Sequence, residues 1–350
     1  CIRDRLGLLG VSLEEKYGGM GMDFTSTMLA VDYVSGTSGS VATAYGAHTG
    51  IAILPIYLFG NEDQKQKYLP KLASGEWFGS YCLTEPTAGS DANSGKTKAV
   101  LSDDGSHYKI SGQKMWISNA GFADIFIVFA RIEDDKNITA FIIPNDPKNG
   151  IELGEEEKKL GIHSSSTRQV FFSDTKVPVE NLLYEVGKGA TIAFNALNIG
   201  RYKLGSASIG GSKQAIKQSI RYSLNRRQFG QPIARFDSIL GKIANMTIRI
   251  YVADTMLYRT VGMIQDAIDS LDKNDPKYYI KMGEAMEQFA IEASMVKVYG
   301  SETSSMIVDN CLQIFGGYGF IEEYPIAMAY RDDRINRIWE GTNEINRSII

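Results

Sequence analysis

Two stretches in the C-terminal half place apolar or small residues at intervals alternating between three and four. One carries Ile239, Ile243, Met246, Ile250, Ala253, Leu257, Val261, Ile264 and Ile268. The other opens at Asp275-Pro276, with proline at a tolerated first-turn position, and carries Met282, Met286, Phe289, Ala293, Val296, Gly300, Thr303 and Ile307. Such spacing buries one stripe of a long helix, and long striped helices pack as bundles. Between Tyr81 and about residue 185 the pattern changes. Tyr108-Lys-Ile-Ser111, Asp124-Ile-Phe-Ile-Val-Phe-Ala130, Ile138-Thr-Ala-Phe-Ile-Ile143 and Gln169-Val-Phe-Phe172 are rich in β-branched and aromatic residues and are separated by turn-forming clusters, which reads as strands. The expected fold is therefore α+β: a helical N-terminal domain over residues 1–79, a central β-barrel domain over 80–188, and a C-terminal four-helix bundle over 189–350. Within the first part, Gly18-Gly-Met-Gly21 marks a loop, and Asn61 caps a helix expected to stop at Pro70.

With 350 residues, 43% hydrophobic and 22% charged, the chain has the make-up of an ordinary soluble protein with room for several cores. A net charge of -4 without a basic block gives no electrostatic case for nucleic acid. Ile51–Phe59, the longest apolar stretch, contains Pro55 and is too short to span a bilayer, so no transmembrane segment is expected. Cys1, Cys82 and Cys311 are scattered, as are His48, His107 and His163, which points away from disulfides and metal sites and toward a reducing compartment. The absence of an initiator Met and the end at Ile350 inside a helical pattern suggest a fragment of a longer protein.

Five local patterns carry chemistry. Tyr81-Cys-Leu-Thr-Glu-Pro-Thr-Ala-Gly-Ser-Asp91 offers backbone N–H groups and hydroxyls to a ring carbonyl or phosphate, or is an ordinary turn. Lys114-Met-Trp-Ile-Ser-Asn119 puts Trp116 and Ser118 on one face of a strand; the indole either flanks a flat cofactor or fills the core. Asn225-Arg-Arg-Gln-Phe-Gly230 ends a helix with two guanidinium groups, which grip phosphates or simply close the helix in solvent. Gln313-Ile-Phe-Gly-Gly-Tyr-Gly-Phe320 follows a helix rather than a strand, so it is not a dinucleotide fingerprint; it reads as a helix stop, whose freed backbone can also meet a phosphate. Last, Glu340 lies between Ile338-Trp339 and Gly341-Thr342. Apolar surroundings raise a carboxyl pKa toward neutrality, as a base for carbon acids requires; a solvent-facing helix end is the bland reading.

In this order the motifs resemble the acyl-CoA dehydrogenase flavoprotein family over essentially the whole chain, with the flavour of the very-long-chain type and its bacterial relatives in Gly46-Ala-His48 and Arg337-Ile-Trp-Glu-Gly-Thr-Asn343. The resemblance implies FAD as cofactor and oxidation of a fatty acyl-CoA to trans-2-enoyl-CoA in β-oxidation. Glu340 would take the α-proton, and its backbone N–H would bind the thioester carbonyl. Tyr81, Leu83, Thr84, Trp116 and Ser118 would line the isoalloxazine, with Thr342 completing that site. Arg226 and Phe229, with Gln313 and Gly317 from a neighbouring subunit, would hold the diphosphate and adenosine, which makes a homodimer or homotetramer the expected state. Ser90, Asn198, Arg201 and Gly341 would meet the substrate. Electrons would pass to an electron-transfer flavoprotein, in the cytoplasm of a bacterium or the mitochondrial matrix of a eukaryote. A branch of the family has its base near residue 199, where this chain has Asn198, Ile199 and Gly200, none able to accept a proton. Small Gly46 and Ala47 favour medium-to-long acyl chains. A scaffold protein and a flavin oxidase or monooxygenase are the competing functions for such a body.

Overall fold

The computed structural model describes residues 6–350; Cys1 lies outside the described residues. Caps set the N-terminal helices. The Asp23 carboxylate accepts from Ser26 N–H at the start of α1 (Phe24–Ser35), and the Ser38 hydroxyl accepts from Val41 N–H at the start of α2 (Gly39–Gly46). A wide π-type turn over Ala47–Ala52 joins α2 to α3 (Ile53–Phe59); such turns are often retained at functional sites. The continuous run Gly39–Phe59 is 21 residues long and apolar enough, by length and composition, to cross a membrane, a length that reading Ile51–Phe59 alone underestimates. Here it packs into the helical core through Ile53, Ile56, Tyr57, Leu58 and Phe59. Helix α4 (Glu62–Ser74) opens with a reciprocal Asn61–Gln64 capping box and continues through Pro70 to a left-handed Gly75. The expected stop at Pro70 does not occur, because the last turn buries Leu72 and Ala73, which offsets the hydrogen bond that proline forfeits.

The central domain is an open mixed sheet, and the expected β-barrel is not formed. Its strands are β1 (Gly79–Cys82), β2 (Lys98–Leu101), β3 (His107–Ser118), β4 (Ile125–Ile132), β5 (Thr139–Pro144), β6 (Ile151–Leu153), β7 (Thr167–Pro178) and β8 (Leu182–Leu183), in the order β6-β7-β3-β2-β4-β5-β8 with β1 beside β4. One edge of β4 is shared: Ile125–Val128 pairs in parallel with β1, then Arg131–Ile132 pairs in parallel with β2. The sheet therefore forks at β4. Its outer strands, β6 and β8, are three and two residues long, too short to supply the staggered ladder that closes a barrel. β4 is buried on both faces. Ile125, Ile127 and Phe129 join the helical core, whereas Phe126, Val128 and Ala130 face the sheet's own core with Tyr108, Ile110 and Phe172. This explains why β4 reads as an unbroken apolar run.

Helix α5 (Gly189–Asn225) is the axis of the C-terminal domain, followed by a two-residue ladder, β9 (Arg227–Gln228) with β10 (Gln231–Pro232), then α6 (Asp237–Asp269). The helix expected to continue from Pro276 is broken at Gln288–Phe289 into α7 (Tyr278–Glu287) and α8 (Ala290–Phe315). α5 and α8 approach closely at two glycines: a Cβ on Gly300 would meet Gly205 Cα at 3.3 Å. Short helices α9 (Pro325–Asp333) and α10 (Asn343–Ile349) complete the domain.

Candidate active site

Between α9 and α10 the backbone turns through two left-handed residues, Glu340 (φ 56°) and Gly341 (φ 77°). For glutamate this conformation is costly and must be imposed by its surroundings. Three buried side chains impose it. Arg201 Nε donates to the Glu340 carbonyl at 3.3 Å. Asn346 Nδ2 donates to the carbonyls of Glu340, Gly341 and Thr342 at 3.3, 2.8 and 3.0 Å. Lys297 Nζ donates to Gly341 O at 2.8 Å and Asn343 Oδ1 at 2.7 Å. Thr342 Oγ1 then caps α10 by accepting from Ile345 N–H. The contacts from Arg201 and Asn346 grip the loop's backbone carbonyls, and the Glu340 carboxylate is left over.

That carboxylate is sequestered. Although the residue as a whole is half-buried, its Oε2 is buried and has no hydrogen-bond partner among the described residues. Burial lifts the Glu340 pKa to about 7, against the opposing pull of Arg201 and Lys297. Tyr81 lies nearby, buried against Phe129, and its hydroxyl is held well above its ordinary range by burial and by the Glu340 charge. Across from the carboxylate is Gly200 of α5, where a Cβ would lie 2.5 Å from Glu340 Oε2.

Glu340 stands at one end of a cavity of about 260 Å³ that Ser118, Gly200 and Trp339 also line. The cavity continues between Gly46 at the end of α2, with Ala47 opening the turn that follows, and α5, at Ala207 and Gly211, toward Met328 and Asp332 of α9. A Cβ on Gly46 or Gly211 would meet nothing within 4 Å, so both glycines contribute open depth.

The remaining site candidates fall into two groups. Trp116 sits at a bulge where the β3–β7 register breaks between Lys114 and Ile117, with φ 58°. Simple strand alternation between Trp116 and Ser118 is therefore interrupted. At 61% exposure, Trp116 is not a core tryptophan but an indole face on display. Met115 N–H donates to Thr84 O at 2.9 Å, which ties this bulge to the Leu83-Thr84 segment. Ser90 lies on the exposed loop beyond and does not line the cavity. Asn198 and Arg201 are both buried and bonded to each other, guanidinium to Oδ1 at 2.8 Å.

The second group is elsewhere. Phe229 and Gly230 form the positive-φ tip of the β9–β10 hairpin, with Phe229 92% exposed. Arg226 lies 5.3 Å from the ring centre of Tyr318, beside the helix stop where Gly316 takes φ 61° and Gln313 and Gly317 are exposed. Counted along α5, Arg226 is about 39 Å from Gly200.

Several residues escaped the sequence reading. Lys297 and Asn346 hold the Glu340 turn, and Asn343 links Lys297 to Ser301 (Ser301 Oγ to Oδ1, 3.3 Å). A lysine directly after Val296 in a buried stripe was the available signal. Glu85, inside the first motif, pairs with buried Lys114 at 2.7 Å and accepts from Thr97 N–H and Oγ1. The conspicuous glutamate of that motif is structural.

Three family models match: the acyl-CoA dehydrogenase N-terminal domain over residues 4–76, the middle domain over 80–175 and the C-terminal domain over 187–350. A probable acyl-CoA dehydrogenase of Bacillus subtilis is 50% identical, covering 99% of this chain and 58% of that protein. The human mitochondrial very long-chain specific acyl-CoA dehydrogenase is 40% identical, covering 99% and 51%. The chain thus spans little more than half the length of these relatives. The crystal structure of an acyl-CoA dehydrogenase from Bacillus anthracis complexed with FAD superimposes with a TM-score of 0.97 at 50% identity, covering 99% of this chain and 59% of that one. The chain belongs to the acyl-CoA dehydrogenase family.

Proposed function

We propose that this chain carries the catalytic core of an enzyme oxidising a fatty acyl-CoA to its trans-2-enoyl-CoA, with Glu340 as the base. The observation that carries the reading is the unpartnered Glu340 carboxylate, poised near neutrality at the end of a largely apolar-walled cavity. FAD is the cofactor, and when bound it accepts the hydride leaving the β-carbon. The residues present fit it: an exposed indole at a bulge tied to Thr84, and an exposed Phe229 beside Arg226. Tyr81, Leu83, Thr84, Trp116, Ser118 and Thr342 would hold the ring and its linker, and Arg226, Phe229, Gln313 and Gly317 the diphosphate and adenosine.

Glu340 would take the α-proton, and its backbone N–H would donate to the thioester carbonyl, stabilising the charge that develops there. Arg201 and Asn198 are committed to each other and to the Glu340 carbonyl, so we read them as positioning residues rather than contacts to coenzyme A. Arg226 stands about 39 Å along α5 from Gly200, which faces Glu340, farther than one FAD reaches. A second copy would therefore supply Arg226, Phe229, Gln313 and Gly317, which supports a homodimer or larger assembly. Open depth at Gly46 supports medium-to-long acyl chains, and an electron-transfer flavoprotein would be the acceptor. The test is Glu340→Gln: flavin should stay bound and no longer bleach with octanoyl-CoA. Full bleaching in that variant rejects the assignment.

A further inference from the structure

We propose that Lys203 makes this cavity selective for acyl chains that carry a carboxylate beyond the reacting carbons, so that carboxyl-ended acyl thioesters are substrates in preference to plain ones of equal length. The inference rests on reading the cavity as the acyl site.

Lys203 lies on α5 three residues after Gly200, about 4.5 Å further along the helix axis, and borders both the cavity and a smaller neighbouring pocket that Thr49 also lines. It is 7% exposed. Its ammonium has three donors, yet among the described residues its one side-chain partner is the Thr49 hydroxyl at 3.0 Å. That hydroxyl donates its own proton to Tyr45 O at 2.8 Å. No carboxylate lies within ion-pair distance of Lys203 among the described residues. The other buried cations near the cleft are satisfied. Lys114 has Glu85 and the Phe129 carbonyl; Lys297 has Gly341 O and Asn343 Oδ1; Arg201 has Asn198 Oδ1 and Glu340 O. Even Lys65 has the Tyr279 ring at 3.2 Å. Lys203 is the exception, and burial alone pushes its amine down to about 7.

A buried ammonium without an anion is costly, and a carboxylate arriving with the substrate removes that cost through a charge-assisted bond. The neighbouring titratable ring offers no competition. His48 is buried, with Nε2 on the Leu72 carbonyl and Nδ1 accepting from Gly79 N–H. The far end of the cavity is unsuited to an anion, because Asp332 and Asp333 stand there, the latter accepting from Ser304 Oγ at 2.6 Å. The favourable place for a substrate carboxylate is thus partway along, which selects chains of intermediate length.

The experiment compares the flavin-loaded assembly and its Lys203→Met variant on adipyl- and suberyl-CoA against hexanoyl- and octanoyl-CoA. The expected result is a wild-type preference for the carboxylated member of each pair. In the variant, kcat/KM for that member should fall about 10- to 100-fold while the plain substrate stays within about 2-fold. Lys203→Gln, which keeps a donor without charge, should fall between and serves if the methionine variant misfolds. An unchanged ratio in the variants overturns the proposal, as does a wild type that oxidises octanoyl-CoA and refuses suberyl-CoA. If neither substrate bleaches the wild-type flavin, the acyl-CoA reading itself fails.

Discussion

Gly200 and Glu340 meet so closely that a methyl group on the first would occupy the space of the second: a Cβ at Gly200 would lie 2.5 Å from Oε2 and 3.0 Å from Oε1. Glycine inside a helix costs about 1 kcal/mol relative to alanine. At this point of α5 the cost makes room for a carboxylate from the other end of the domain. The arrangement also shows why a base on α5 and a base at 340 are alternatives, since one position must be small for the other to be large.

Gly200→Ala should therefore act on the base rather than on the fold. The clashing atoms are the mobile end of a side chain, so Glu340 yields and leaves its working position. A displacement of about 1 Å in a reacting group costs on the order of 10²-fold in rate. We expect kcat to fall by about that factor, with flavin content unchanged and thermal stability equal or slightly higher. A variant retaining wild-type kcat would show that the carboxylate seen against Gly200 is not the reacting one.

The pH dependence of turnover follows from Glu340. A base works when deprotonated, so kcat/KM should rise with pH through about 7, where burial places this group. Arg201 pulls that value down, so Arg201→Met should shift the rising limb to higher pH. Stopped-flow bleaching across pH 5.5–9 in wild type and variant reads both limbs. A shift toward lower pH would contradict the sign of the interaction.

Stability should respond in the opposite sense. The folded-state pKa of Glu340, about 7, lies above its ordinary 4.5. Its protonated form suits the folded protein, so the contribution is complete below about pH 4.5 and lost as pH rises through 7. Glu340→Gln removes that loss. At pH 8 it should be more stable than wild type by about 1–3 kcal/mol, a figure discounted for the half-buried residue, and indistinguishable near pH 4.5. Melting curves at both pH values decide it.

The three-part organisation was legible because periods of two and 3.6 residues are properties of local sequence. Closure of the sheet was not, since it depends on whether β6 and β8 meet, and nothing within three- and two-residue strands announces a partner. The buried setting of Glu340 was anticipated partly for the wrong reason. Ile338 and Trp339 suggested an apolar setting, yet Ile338 is 47% exposed, and the burial comes from Gly200 and Tyr81, far away in sequence. Lys203 and Lys297 were invisible because a lysine in a helix reads as a solvated face until its neighbours are known. Trp116 shows the reverse: a tryptophan in a strand reads more readily as core, and only the bulge turns it outward.

Chain-length preference should be set at Gly46. A Cβ there enters open space, so a larger side chain shortens the cavity without straining α2. Gly46→Leu should leave butyryl- and hexanoyl-CoA oxidation near wild type and reduce kcat/KM for palmitoyl-CoA about 10-fold or more, one pocket methylene being worth about 1–3 kcal/mol. A uniform loss across all lengths would instead mean that Gly46 serves helix packing.

The buried pair Lys114–Glu85 should prove as important for the flavin as for the fold. Lys114 Nζ binds Glu85 at 2.7 Å and the carbonyls of Phe129 and Leu83 at 2.7 and 3.3 Å, so one ammonium fastens β3 to β4 and to the Leu83-Thr84 segment. The next residue, Met115, pairs with Thr84, and Trp116 follows at the bulge. Lys114→Met leaves Glu85 charged, buried and held only by its remaining donors, at a cost of about 3 kcal/mol. It also frees the segment that presents the indole. We expect a lower melting temperature together with weaker flavin retention on dilution. Lys114→Met combined with Glu85→Gln, which removes the stranded charge, should recover much of the melting temperature but not the retention, because the three-way tie is still missing. Full recovery of both would reduce the pair to a local charge balance with no part in shaping the cofactor site.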